Sequence, residues 1–366
     1  MIKTRQFPKS LTRHSYLLAA MLPLMMPLSW SLRDVAGFSW VFAWLPLLVL
    51  YVLIPLLDVV IGRDLSNPEV RQRSFYPDDF IPIAAGVCHL AVLAWAVALV
   101  PELLAQYGWV ALVGWVLSMG DTSATVGINV AHELIHRRDR AQRVLGGLML
   151  ASVWYGGFKL EHTRWHHVHV STPNDPSSAA RGDTVYGQVP RAMWLNTIQA
   201  WRLGKAAAEK RGRVLPWLSH EVMGWCLISL LMTGLAGLAW SGLAAVAFVL
   251  QGVLAAALLE VINYVEHYGL RREMREDGRY VPPGVTHSWD CDYWLSNAIL
   301  IQLPRHADHH THPSRAFNQL QLNEPSPVLP YGYPLLVLVA MIPPLWRRII
   351  HPHLPVVEAS NPVVSG

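Results

Sequence analysis

The sequence predicts an all-α integral membrane protein, six transmembrane helices capped by a histidine-rich cytoplasmic layer. Three observations predict it. Only 15% of the residues are charged while 52% are hydrophobic, whereas soluble domains run at about 25% charged. Several stretches of about 20 residues carry little or no charge, the length a bilayer core requires. The chain also holds 17 histidines, many of them crowded where those stretches end, and 16 tryptophans, a residue that favours the lipid–water boundary.

In chain order the spans fall at 14–32, 38–62, 80–103, 108–131, 221–239 and 241–263. The segment 1–13 is basic, but the apolar run from Tyr16 is long and lacks a small-residue cleavage site. It therefore reads as a retained first span rather than a signal peptide. Pro101 ends the third span, and Ser241-Gly242 separates the last two. No Gly/Ser- or Pro-rich linker divides the chain, so residues 1–366 read as one membrane domain.

Charge sets the sidedness. The odd loops 33–37, 104–107 and 239–241 hold one basic residue, Arg33. Lys3, Arg5, Lys9 and Arg13 precede the first span, Arg63, Arg71 and Arg73 follow the second, and 137–213 is rich in Arg and Lys. The positive-inside rule puts both termini and the even loops in the cytoplasm. Segments 132–220 and 264–366 then share one face, and their histidines can converge. The net charge of +4 belongs to these loops and does not point to nucleic acid. Cys88, Cys226 and Cys291 are far apart, which excludes a disulfide framework and a four-cysteine cluster.

Four boxes carry the chemistry: "HELIHRR" with His132 and His136, "EHTRWHH" with His162, His166 and His167, "NYVEHYGL" with His267, and "LPRHADHHTHP" with His306, His309 and His310. On a helix, residues three or four apart share a face. His132/His136, His162/His166 and His306/His309/His310 satisfy this, so each set is expected to address one metal. A lone histidine is usually structural, and one HxxxH pair is weak evidence. Three such sets on one side of a membrane point to metal. Nine ligands exceed the four to six positions of one ion, which implies two. Imidazole suits Zn, Cu, Fe and Ni. Glu133, Glu161, Glu266 and Asp308 adjoin the boxes and are expected to orient the rings by accepting the other N–H. Asn129, one turn before His132, is a further orienting candidate, and His287 in "THSWD" reads as a tenth ligand or an orienting neighbour. His14, His89, His220, His351 and His353 read as bystanders. His169 and His312 fall outside the helical register.

In order and spacing the four boxes resemble the integral-membrane alkane 1-monooxygenase family. "LLDVVIGRDLSNP" (56–68), "STPNDPSSA" (171–179), "HSWDCDYWLSN" (287–297) and "PYGYPLL" (330–336) resemble it too, so the likeness runs from about residue 40 to 350. It implies two non-haem irons held by His132, His136, His162, His166, His167, His267, His306, His309 and His310. It implies terminal hydroxylation of medium- or long-chain n-alkanes with O2 in the bacterial inner membrane. Electrons would come from rubredoxin, itself reduced by rubredoxin reductase. Two positions depart from the family pattern. Trp165 stands where the second box usually has Gly, and its bulk is expected to narrow the space near the metals. Pro304 replaces Gln in the fourth and suits a first helical position. Glu266 matches the alkane branch rather than the xylene monooxygenase branch, where Gln is usual.

The residues agree in outline. An unactivated C–H bond requires O2 chemistry at a metal, and the protein's task is to place the chain end and exclude water. With no four-cysteine iron site and no GxGxxG turn, electrons must come from a partner. An acidic donor fits the Arg/Lys-rich loops. The apolar substrate is expected to enter between spans. Small residues in "GLAGLAW" and "QGVLAAALLE" read as helix packing. Charged groups within spans are functional candidates by default. Asp58 is expected at the interface. Asp121, about 16 Å along the helix from His132, has no assigned role.

Three other readings compete. "HELIH" is also the HExxH pattern of zinc proteases, with Glu133 as base, but it leaves six or more clustered histidines unused. A membrane fatty-acid desaturase or hydroxylase uses histidine boxes but usually lacks "NYxEHYG". A non-enzymatic metal carrier would exchange metal and consume no O2.

Overall fold

The computed structural model describes residues 4–5, 7–35, 40–69 and 79–355. Lys3, Arg71 and Arg73 of the sidedness argument lie outside them. Among the described residues the regular structure is helical, with one short parallel pairing of Thr4–Arg5 with Arg63–Asp64. Among the described residues five helices are long and apolar enough to cross a membrane: Val41–Ile61, Phe80–Ala98, Val100–Ile135, Glu221–Ala239 and Gly242–His267.

The first expected span, 14–32, is not one of the five. It is wound as short pieces, Leu17–Met21, Leu22–Leu24 and Met25–Ser31. Pro23 and Pro27 explain this, since each lacks the N–H that a regular helix needs. The expected break near Pro101 also moves. Pro101 sits in the first turn of its helix, where it is tolerated, and the chain reverses at Gly108, whose φ of +75° favours glycine.

Gly242–His267 is the central helix. It packs against Val100–Thr122, Glu221–Ala239 and Val185–Glu209. Gly252 permits its close approach to the turn after Arg140–Ser152, because a Cβ there would lie 2.9 Å from the Val153 backbone. Polar contacts fix the register. Ser123 donates to Gln251 at 2.7 Å, and the Gln251 amide donates to the Ser152 carbonyl at 2.9 Å. Asp58 is buried within the protein. It accepts from the Ser296 N–H and hydroxyl at 3.1 and 2.6 Å, which ties Val41–Ile61 to the helix Trp294–Ile299. Around Trp30 the rings of Phe42, Trp95, Tyr107 and Trp115 pack edge to face, the geometry their quadrupoles favour.

Val100–Ile135 and Gly242–His267 both end in histidine boxes, and the segments that follow fold over those ends. Backbone bonds lock them together: Gly269 N–H to the Ala179 carbonyl, Arg272 N–H to Ser171, Trp289 N–H to Glu266 and Cys291 N–H to Pro304, at 2.7–3.0 Å. All four histidine boxes therefore meet at one end of the bundle.

Candidate metal centre

The nine histidines singled out as ligands are brought into two groups. His132, His136, His162, His167 and His309 form one, and His166, His267, His306 and His310 the other. Within each group the ligand atoms lie within 4.8 Å of one another.

The grouping departs from helical spacing in two of the three sets. His132/His136 stay together, but His162 and His166 part. Residues His162–His166 form a π-helical turn, in which the bonding runs from i to i+5. His162 therefore meets His167, Nε2 to Nε2 at 3.0 Å, while His166 faces the other group. In the helix His306–Thr311, His306 and His310 stay together at 3.0 Å, one turn apart. His309 points instead to His167 at 3.1 Å.

The chemistry of these atoms fits a metal. Burial, reinforced by neighbouring imidazoles, holds His162, His167, His306, His309 and His310 well below the ordinary histidine range. Burial brings His136 down to about 4. The rings are thus neutral, with one N–H each. Yet the Nε2 atoms crowd together, His306 with His267 at 3.2 Å as well. Those of His132, His136 and His166 are buried without a hydrogen-bond partner. Converging lone pairs shielded from water call for a cation, and imidazole donors suit iron, zinc or copper.

The orienting groups differ from expectation. Sequence reasoning missed Asp175, whose carboxylate lies 3.1 Å from Nδ1 of His166. It lies in "STPNDPSSA", the loop after the second box, and a loop acid eight residues past a ligand carries no helical spacing that would signal the contact. His267 Nδ1 lies 3.4 Å from the Ser288 hydroxyl, and the His287 carbonyl also faces that ring. The His287 side chain does not serve as proposed, since its Nδ1 accepts from the Gly284 N–H at 2.9 Å.

Glu266 lies on the ligand side rather than behind a ring. Its Oε2 is 3.2 Å from His306 Nε2, and its Oε1 accepts from Tyr333 at 3.0 Å. Glu161 is buried with Oε1 unpaired. Burial, then Asp175 and Glu260, push its carboxyl well above the usual range. Glu133 turns to Arg137 at 2.6 Å and to the Phe317 N–H, which is not the place of a protease base. Asp308 also turns away. It gathers Arg315, His312, Asn323 and the Gln321 N–H. These two acids adjoin ligands in sequence and leave on the other side of the helix. The Asn129 amide is buried without a hydrogen-bond partner and faces a cavity rather than a ring nitrogen.

Two further expectations are corrected. Trp165 does not crowd the metals. It stacks on His169 at 3.9 Å and donates to the Asn174 carbonyl at 3.0 Å, on the outer side of the π-turn. Pro304 does not begin a helix, because the helix starts at His306 with Arg305 as its cap. The buried Arg305 guanidinium instead braces this box against the Ser66 carbonyl, at 2.8 Å, and the Leu320 carbonyl, at 3.1 Å.

A cavity opens beside the histidines. His132, His162 and His306 line its inner end, with Phe158, Asn129 and Glu266, and its remaining wall is largely Leu, Ile and Val.

Comparison with known proteins agrees with this architecture. Residues 107–338 match the family profile described as fatty acid desaturase. Alkane 1-monooxygenase 1 of Pseudomonas aeruginosa is 39% identical over 94% of this chain and 91% of its own. Alkane 1-monooxygenase 2 of Alcanivorax borkumensis is 38% identical over 92% of this chain and 88% of its own. The hydroxylase component of xylene/toluene monooxygenase from Pseudomonas putida is more distant, 26% identical over 65% of this chain. Apolar helices, clustered histidines and relatives together place the chain in the alkane 1-monooxygenase family.

Proposed function

We propose that the protein is a membrane monooxygenase that hydroxylates the terminal carbon of medium- or long-chain n-alkanes with O2, the first step of alkane degradation. Two non-haem irons would be held by the groups of five and four histidines. The carrying observation is that both groups reach an apolar cavity, His132 and His162 from one and His306 from the other. Bound there, iron supplies reductive activation of O2, the means by which an unactivated C–H bond is broken.

The remaining work belongs to the chain. Apolar cavity walls take the alkyl chain from lipid and hold its end beside the histidines, which replaces an encounter with a fixed orientation. The same walls exclude water. Glu266 and Asn129 are polar groups at the inner end, placed to hydrogen-bond oxygen-bearing species. Asp175 fixes the tautomer of His166 through Nδ1.

In this reading residues 1–366 form one domain of the bacterial inner membrane. The proline-broken segment 14–32 contributes a sixth crossing, with both termini and the metal centre in the cytoplasm. Rubredoxin, reduced by rubredoxin reductase, delivers electrons at that face, attracted by the basic loop with the exposed Arg138 and Arg140. Reconstituting the iron-loaded protein with rubredoxin, its reductase and NADH tests the reading. The expected product from n-alkanes is the 1-alkanol. Its absence with two irons loaded per chain overturns the proposal.

A further inference from the structure

Asp121 is a buried acid in the Val100–Ile135 span, eleven residues before His132 and separated from it by the π-helical stretch Ser123–Ile128. Its Oδ1 accepts a hydrogen bond from the Tyr51 hydroxyl at 2.7 Å, across to the Val41–Ile61 span. Both residues line the cavity that reaches the histidines. A second, smaller cavity lies beyond, lined by Leu22, Met25, Pro46, Thr122 and Val126. The two cavities share Leu50, Asp121 and Thr125 in their walls. The Tyr51–Asp121 bond therefore stands at the partition between them.

We propose that this pair is the polar floor of the substrate cavity and sets the longest alkane the enzyme accepts. The inference rests on the reading of the substrate as an alkyl chain whose reactive end lies by His132, His162 and His306. The tail of such a chain then points toward Asp121. A methyl end that reaches the pair gains no apolar contact from it. A longer tail could pass into the smaller cavity only by parting the phenol from the carboxylate, which would leave two buried polar groups unpaired against hydrocarbon. Chains that stop short leave the bond intact. The floor thus discriminates by what the chain would have to break, a sharper selection than filling apolar space. It also accounts for an acid kept within a membrane span, where an unpaired charge is expensive.

Graded n-alkanes test this in iron-loaded protein embedded in nanodiscs, with two readouts. One is thermal stabilisation by each alkane without O2 or electron donor, and the other is 1-alkanol turnover. In the wild type both should fall off beyond one chain length. Asp121→Ala should carry the fall-off to longer chains, and those just past the wild-type limit should gain about tenfold or more in kcat/KM. Asp121→Asn keeps an acceptor oxygen for Tyr51 and should keep the wild-type fall-off. If Asp121→Ala fails to fold, Asp121→Ser, shorter than Asp but with its own hydroxyl, should give the same shift. An unmoved fall-off in the folded Ala or Ser variant overturns the proposal. So does an equal gain at every length, the mark of an entry gate, or a wild type stabilised by no alkane. A shifted stabilisation profile in a protein that makes no alkanol leaves the floor standing and removes the hydroxylase reading alone.

Discussion

The Asp175 carboxylate lies 3.1 Å from Nδ1 of His166, and the Ser178 hydroxyl donates to the same oxygen. This acid, contributed by the loop after the second box, holds a ring of the four-histidine group. Partners of this kind change metal affinity by about 10–100-fold. Asp175→Ala should weaken that group by this factor in a chelator competition, while Asp175→Asn, which keeps an acceptor, should lose far less. Equal losses in Asp175→Ala and in His287→Ala, whose ring is engaged elsewhere, would remove the role.

His309 and His310 are sequence neighbours in different groups. His310→Ala leaves three ligands in its group, and His309→Ala leaves four. Metal analysis of the purified variants should find about half of the metal gone from His310→Ala and a smaller loss from His309→Ala. Identical metal contents would show that the division into two groups is wrong.

Low pH should unfold the metal-free protein. An unfolded histidine titrates near 6.5, while the folded chain keeps His136 near 4 and the other buried rings well below their ordinary value. Between these values the unfolded state binds more protons, so stability is lost as pH falls through about 6.5 toward 4. In chelator-treated protein the Tm should fall between about pH 7 and pH 5 and recover on neutralisation. A flat Tm would mean that the folded rings take up protons as readily as unfolded ones.

Trp165→Gly restores the residue usual in the family and should leave the chain-length profile of the products unchanged, because the indole stacks outward on His169. It should lower stability by about 1 kcal/mol, the price of glycine within a helix, as read by thermal denaturation. A shift in product lengths would place Trp165 in the substrate path after all.

Hydropathy made most of the bundle legible, because a bilayer imposes length and apolarity on any helix that crosses it. It does not report how a stretch is wound: at 14–32 Pro23 and Pro27 satisfy an apolar average but break the helix into short pieces. The histidines were legible by residue type. Their division was not, because helical spacing assumes an α-helix and His162–His166 is π-helical. Adjacency in sequence suggested Glu133 and Asp308 as orienting groups, yet both side chains leave on the far side and bind Arg137 and Arg315. Asp175 reaches its ring only through tertiary folding, which no local pattern records.

The π-turn hands His162 and His167 to one group and His166 to the other, and the helix His306–Thr311 likewise divides His309 from His306 and His310. Neither nest of ligands is therefore a module that could be transplanted alone. An ion in one nest immobilises the two backbone segments that the other needs, and by reciprocity each ion raises the affinity of its neighbour by the same factor. In the intact chain the second ion should therefore bind more tightly than the first.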